Sequence, residues 1–367
     1  MNKLVLGNIL YRPVRSAISV LAVAIEVIMI LSIVAIMVGQ VNGAADQTSG
    51  VGADLIVRPP NASFLSAVGG APVPAKIAGV LAKLPHVAVA APVIANFSLG
   101  HALQTIWGID FDSYNALRPF QFVEGGPFHG PDDVIVDDLY AKSNNAVVGQ
   151  PIDLGLHHSF RVCGIVEHGK GGRIFVPIHT LGTLLGTPDN ASLFYLRWDS
   201  PANEKAIEQE IRSTPGLQNY EVQSMSDYMA MMTPEHFPGF NIALRVVIGI
   251  AVIVGFLVIF QSMYTAVMER TREIGILKSL GASKTDIMNL VLREAGLVAV
   301  AGIIVGILMT LGIRWLVSIQ FPTLPFLMSD AWLGYGAAIA LVGSVLGAMY
   351  PAWKAASKDP IDALAYE

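Results

Sequence analysis

Apolar residues along this chain gather into four long runs, and between the first two runs the pattern breaks into shorter stretches where polar and apolar positions alternate. The runs are Ala17 to Val38, Val246 to Val267, Ala295 to Ile313 and Ala331 to Tyr350. Each supplies about the 20 residues that a helix rising ~1.5 Å per residue needs to cross a hydrocarbon core ~30 Å thick. A bilayer leaves isolated spans no alternative to helix, because every backbone polar group must be satisfied within the segment. With their flanks, the runs predict spans at residues 17–40, 241–267, 295–317 and 331–350. The first run, preceded by Lys3, Arg12 and Arg15, has the flanks of a cleaved signal peptide, but it exceeds the ~7–15 residues of a signal core and reads as a retained anchor. Ahead of it, residues 1–16 bunch Leu4, Val5, Leu6, Ile9 and Leu10 against Lys3, Asn8 and Arg12 before Pro13. That is the pattern of a short interfacial helix, or of a frayed start to the first span.

Residues 41–240 predict a separate domain. ADLIVRP (53–59) reads as a strand, AKIAGVLAKL (75–84) as a helix with Ile77, Val80, Leu81 and Leu84 on one side, and HVAVAAPVI (86–94) as a strand. The same order recurs in LFYLRW, PANEKAIEQEIRS and NYEVQS, within 193–224, so two halves are expected to pair into a split βαβ sheet. Between them, at about 97–190, DVIVDD, QPIDLGL, FRVCGIV and RIFVPI among many glycines and prolines predict a mostly β insertion. The expected fold class is thus an α+β integral membrane protein: four transmembrane helices with a large two-lobed α+β extracytoplasmic domain between helices 1 and 2.

Composition supports this reading, since 53% of residues are hydrophobic and only 14% charged, too few charges for an ordinary soluble globule. Lysine and arginine then set the expected orientation. They occur before the first span, in segment 268–294 (Arg270, Arg272, Lys278, Lys284, Arg293) and in the tail 351–367 (Lys354, Lys358), but not in the short loop 318–330. The positive-inside rule places both termini and segment 268–294 in the cytoplasm and the large domain outside it. That domain has more acidic than basic residues, which argues against nucleic acid as a partner. The single cysteine, Cys163, excludes an intramolecular disulfide and reads as a small buried residue rather than a reactive thiol.

Catalytic chemistry finds little support. No G-x-x-x-x-G-K-[ST] loop is present, and HGKGGR (168–173) lacks that spacing, so this chain is not expected to hydrolyse ATP alone. His157, His158, His168 and His179 match no zinc spacing and read as polar loop residues; no metal site and no catalytic residue are predicted. Gly302 with Gly306, and Gly343 with Gly347, form G-x-x-x-G pairs that let helix backbones approach closely, within a bundle or in a dimer. Glu26 is a carboxyl near the middle of a span, and such a group faces a bundle interior or cavity: either a hydrogen-bonded neutral acid or a functional intramembrane group.

The most distinctive stretch is ERTREIGILKSLGASKTDI, Glu269 to Ile287. Gly281 is a helix stop, and Ser283 with Asp286 fits a capping box that starts the next helix. Helix, glycine turn and helix make a charged elbow, suited to pressing on a protein surface or to anchoring at lipid headgroups. Here the sequence resembles the MacB/FtsX-like family of ABC transporter permeases, including the lipoprotein-releasing and DevC-like members. Glu269-Arg270, Glu273-Ile274-Gly275, Leu277-Lys278 and Leu280-Gly281-Ala282 follow the family's E-R-x-x-E-I-G-x-L-[KR]-[AS]-[LI]-G-A segment. NILYRPVRSAISVLAVAIEV, GADLIV (52–57), VDDLYAKSNNAVVGQPIDLG with FRVCGIV and RIFVPIHTLGTLLG, and the tail through Pro351, Ala355, Ala356, Asp359, Pro360, Ala363 and Leu364 resemble further family segments. Glu26 departs from the pattern, which more often has glycine there.

The resemblance implies a non-catalytic permease subunit in a bacterial inner membrane, paired with a second copy or a paralogue. It also implies a separate cytoplasmic ATPase that binds ATP and magnesium, and it allows for a periplasmic adaptor. Glu269, Arg270, Arg272, Glu273, Gly275, Lys278, Gly281 and Ala282 would receive the ATPase. Its movement would pass to the exported domain for export or extraction of an amphiphile, drug, lipid or lipoprotein. A non-transporting regulator that passes the same motion to a periplasmic partner such as a cell-wall hydrolase would need the same elbow. A membrane-anchored binding domain would leave the elbow without use.

Overall fold

From Pro13 to Ser49 the chain forms one uninterrupted helix, α1, with proline in its first turn, where no intrahelical N–H is required. The computed structural model describes residues 13–60, 72–99, 103–231, 233 and 239–358. The expected interfacial helix at 1–16 therefore lies largely outside the described residues, as do Asp359, Pro360, Ala363 and Leu364 of the tail. Two units emerge, one of Met1–Gln40, Pro238–Ile319 and Leu324–Glu367, the other of Val41–Phe237 with Gln320–Thr323.

The second unit is α+β. Its elements in chain order are β1 (Leu55–Arg58), β2 (Val73–Pro74), α2 (Ile77–Leu81), β3 (Val87–Leu99), β4 (Leu103–Ile109), α3 (Phe111–Leu117), β5 (Phe122–Gly125), β6 (Asp133–Asp137) and α4 (Asp138–Asn144). Then follow β7 (Pro151–Asp153), β8 (Ser159–Val166), β9 (Ile174–Pro177), α5 (Ile178–Leu184), β10 (Asn190–Ala191), β11 (Leu193–Trp198), α6 (Glu204–Ser213), β12 (Glu221–Ser224) and α7 (Met225–Met231). One sheet runs β12-β1-β11-β3-β4-β9-β6-β8-β5, with β7 beside β8, and β2 pairs separately with β10. The two sequence halves meet in β12-β1-β11-β3, all antiparallel. The residues between them extend this same sheet, because β4 pairs antiparallel with β3 and parallel with β9.

Strands such as LIVR and DVIVD are buried at every position because layers cover both faces of the sheet. Ile56 and Ile135 point into one cluster with Trp107, Tyr114 and Phe175. Leu55 and Val57 face a second, against α6, and Val134 and Val136 a third, against α4 and α5. Asp110 and Asp137 cap α3 and α4 through their carboxylates, which accept from Ser113 N and Tyr140 N. Asp137 also binds Arg173 at 2.9 Å, and Arg173 donates to Thr323 O at 3.4 Å. The 168–173 loop lies against the end of α1, where Gly171 N donates to Gln47 O at 2.7 Å. A Cβ on Gly50 would fall 1.5 Å from Gly169 O, so this approach requires glycine.

The first unit consists of α1 up to Gln40 with α8 (Phe240–Glu269), α9 (Thr271–Ser279), α10 (Lys284–Gln320) and α11 (Asp330–Ser357). Helices α1, α8, α10 and α11 are each long and apolar enough to cross a membrane. The expected fold class is therefore borne out: four such helices and an α+β unit between the first and second. Glycines set the helix crossings. Cβ atoms on Gly302 and Gly306 would fall 2.5 and 2.8 Å from the Cβ atoms of Val23 and Val27, so α10 packs directly on α1. Gly347 lies against the α8 backbone, where a Cβ would be 2.8 Å from Phe256 O. Both glycine pairs thus serve contacts within this chain.

Candidate coupling elbow

Segment 268–294 folds from local signals outward. Helix α8 ends at Glu269, Arg270 turns the chain, and α9 follows at once. Gly281, at φ 101°, occupies the left-handed region that side-chain-bearing residues rarely adopt, and it ends the elbow helix. Ser283 and Asp286 then form a reciprocal capping box: Asp286 N donates to Ser283 Oγ at 3.2 Å and Ser283 N to Asp286 Oδ2 at 3.0 Å. Both orphan donors at the start of α10 are satisfied in this way.

Helix α9 has two faces. Thr271, Ile274 and Gly275 are buried, while Arg272, Glu273, Ile276, Ser279 and Leu280 are exposed. Against it lies a mostly apolar pocket of about 260 Å³, lined by Met263, Val267, Leu277 and Val291 and bordered by Glu273 and Ile276 of the exposed face. Among the described residues, Arg270 and Lys278 tie the helix to its neighbours. Arg270 Nη1 lies 3.2 Å from Glu294 Oε2, with side chains only 11% and 9% exposed, joining the elbow to α10. Lys278 Nζ donates to Ala356 O at 3.0 Å and also to Lys358 O, joining it to the end of α11.

The predicted elbow residues thus separate into two groups. Glu269, Arg272, Glu273 and Gly281 are exposed; Arg270, Gly275, Lys278 and Ala282 are buried or half-buried and frame the helix. Ile276 and Leu280, 45% and 79% exposed, share the outer face and did not emerge from the sequence reading. Two apolar residues four apart on an otherwise charged helix were the available signal.

The remaining candidates lie elsewhere. Glu26, 2% exposed, inserts its carboxyl where a Cβ on Gly255 of α8 would sit, 1.9 Å from Oε2, and neither oxygen has a hydrogen-bond partner among the described residues. Seven residues earlier on α1, Ser19 shares a hydrogen bond with Ser262. Gly343 of α11 lies near the same carboxyl, 3.7 Å from Oε1 by its absent Cβ. His158 and His168 pair with different aspartates, Asp132 and Asp138, and His179 lies 3.7 Å from Asp189. No group of three potential metal ligands occurs among the described residues. Cys163 is buried, with Sγ 3.4 Å from Val134 O, and burial pushes its thiol up to about 12. Buried Lys170 was singled out only as part of a failed phosphate loop. Its ammonium donates to Arg118 O and lies 3.8 Å from the Phe120 ring centre.

An α+β unit inserted between the first two of four spans, with a charged elbow after the second, defines a permease of the ABC transporter class. The chain belongs to the MacB/FtsX-like permease family: the MacB-like periplasmic core domain matches residues 16–214 and the FtsX-like permease C-terminal domain residues 245–360. It is 28% identical to the pyoverdine export ATP-binding/permease protein PvdT of Pseudomonas syringae over 96% of this chain and 57% of that protein. It is 32% identical to the uncharacterized ABC transporter permease YknZ of Bacillus subtilis over 60% of this chain and 55% of that protein. The chain spans about half the length of these relatives. Among solved structures, the periplasmic region of MacB from Actinobacillus actinomycetemcomitans aligns with 50% of this chain and 94% of that one, at 14% identity and a TM-score of 0.40.

Proposed function

We propose that this chain is the non-catalytic permease subunit of an ATP-driven exporter or extractor in the bacterial inner membrane, with both termini and the elbow facing the cytoplasm. A separate cytoplasmic ATPase, carrying ATP and magnesium, docks on the exposed face of α9 through Arg272, Glu273, Ile276 and Leu280, with Glu269 at its edge. Arg270 and Lys278 act behind that face, passing its displacement into α10 and α11. The exported unit then moves against an amphiphilic, lipid, drug or lipoprotein substrate, in a dimer with a second copy or paralogue and, where one is encoded, an adaptor.

The observation that supports this reading is the form of the elbow: a helix with an exposed mixed face, held by polar contacts to two different spans. A turn serving only to reverse the chain needs no such frame. The test is co-purification of the ATPase with the intact chain and with Leu280→Asp combined with Arg272→Glu. The variant should insert normally yet lose the ATPase; wild-type recovery with unchanged turnover would refute the assignment. Loss of substrate release in a reconstituted complex would support transport, whereas intact ATPase cycling with activation of a periplasmic hydrolase would favour the regulatory alternative.

A further inference from the structure

At the elbow end of the bundle, aromatic side chains of α8 and α11 meet across the two helices in a continuous strip, half-buried on α8 and exposed on α11. Phe256, Phe260 and Tyr264 follow at intervals of four on α8, with centroid separations of 6.2 and 6.0 Å and near-parallel rings. The close approach of Gly347 to the α8 backbone brings Tyr350 within 5.8 Å of Phe260, and Trp353 stands 6.1 Å beyond it. Tyr350 and Trp353 remain 47% and 57% exposed. Lys354 closes the strip: its ammonium is 3.4 Å from Tyr264 OH and 5.3 and 6.0 Å from the Tyr264 and Tyr350 ring centres. No carboxylate lies within ion-pair distance of it among the described residues.

We propose that this strip is a binding site for an anionic phospholipid of the leaflet on the elbow side. Eight residues of helix from Phe256 to Tyr264 rise ~12 Å. That is close to the ~15 Å depth of one leaflet's hydrocarbon, half of a core ~30 Å thick. An acyl chain lies along the rings while Lys354, with the Tyr264 hydroxyl beside it, meets the phosphate at headgroup depth. Tyrosine and tryptophan favour this interfacial level, and lysine there is attracted to anionic lipid. A second protein copy on the same face would have to place a carboxylate near the membrane to match the lysine, at a desolvation cost; a lipid brings its phosphate at the correct depth. The site is independent of the ATPase assignment. It rests on the membrane-spanning fold alone.

The full chain is reconstituted in phosphatidylcholine vesicles containing a minor fraction of brominated phosphatidylglycerol or, separately, brominated phosphatidylcholine. The Trp353 contribution to fluorescence is isolated by difference from Trp353→Phe. Brominated phosphatidylglycerol should bind in preference by about fivefold, the selectivity one lysine at an anionic surface confers. Lys354→Gln should abolish the preference, and Lys354→Arg should retain it. Equal quenching of the wild type by both lipids would overturn the proposal, as would protection of Trp353 from both, which would mean that protein covers the face.

Discussion

Removing the Arg270 guanidinium tests whether the elbow acts as a rigid transmitter. At 3.2 Å, and with an effective dielectric constant near 20, the attraction to Glu294 is about 5 kcal/mol before desolvation is counted. Truncating one partner of a buried pair costs about 3–5 kcal/mol, because the other charge stays in a poorly solvated site without the ion that faced it. Each 1.4 kcal/mol is about tenfold in an equilibrium, so the orientation of α9 against α10 should weaken by about 100-fold or more. Arg270→Met therefore should still bind the ATPase, since Arg272, Glu273, Ile276 and Leu280 are untouched, but its substrate-coupled turnover should fall at least about tenfold. The assay is ATP hydrolysis and transport by the reconstituted complex, normalised to the ATPase retained and to chain inserted in the membrane. Arg270→Glu with Glu294→Arg should recover part of the loss. Wild-type coupling in Arg270→Met, at wild-type insertion, would refute the idea that this pair transmits motion.

Three further outcomes follow from the geometry. Gly302→Leu places a branched side chain where Val23 already stands, and overpacking of about 1–3 kcal/mol should lower the unfolding midpoint in detergent; an unchanged midpoint would show that α10 and α1 are not in contact. Burial, with Arg118 nearby, brings the Lys170 amine down from its usual 10.5 to about 7. The unfolded chain then holds more protons than the folded chain between those values, so thermal stability should rise as pH increases from 7 toward 10.5. Lys170→Met should show a flatter dependence, and parallel curves would contradict this cause. Asp133 is buried, which raises its carboxyl, but Arg161 and the His129 and Gly130 amides outweigh this and hold it below the usual range. Stability from this group is present above the unfolded value and lost as pH falls through the folded one, so Asp133→Asn should flatten the acid limb of unfolding curves and lower stability by about 2 kcal/mol.

Much of this was legible without coordinates. The four spans follow from runs too long and apolar to be anything but membrane helices. Gly281 and the Ser283–Asp286 box mark the elbow by chemistry that acts over three or four residues. The recurrence of strand, helix and strand at both ends of segment 41–240 indicated that β1, β3, β11 and β12 would share a sheet. What stayed hidden was facing. Arg270 and Arg272 look equivalent in the sequence, yet one meets Glu294, 24 residues away, and the other meets solvent. Ile276 and Leu280 carried no assignment, because the sequence does not say which apolar residues of a short helix its neighbours cover.

The sequence by itself determined the class of the protein: membrane helices, an α+β unit between the first two and a charged helical turn, each specified by hydrophobicity or capping chemistry that acts locally. Only the tertiary structure decided which side chains of that turn face outward, and that both glycine pairs bind helices of the same chain. It also decided that residues between the two sheet halves extend one sheet, and that Lys354 ends an aromatic strip rather than an ion pair. Those outcomes depend on contacts between residues far apart in the chain, such as Lys354 and Tyr264, 90 positions apart, whose meeting no local pattern encodes.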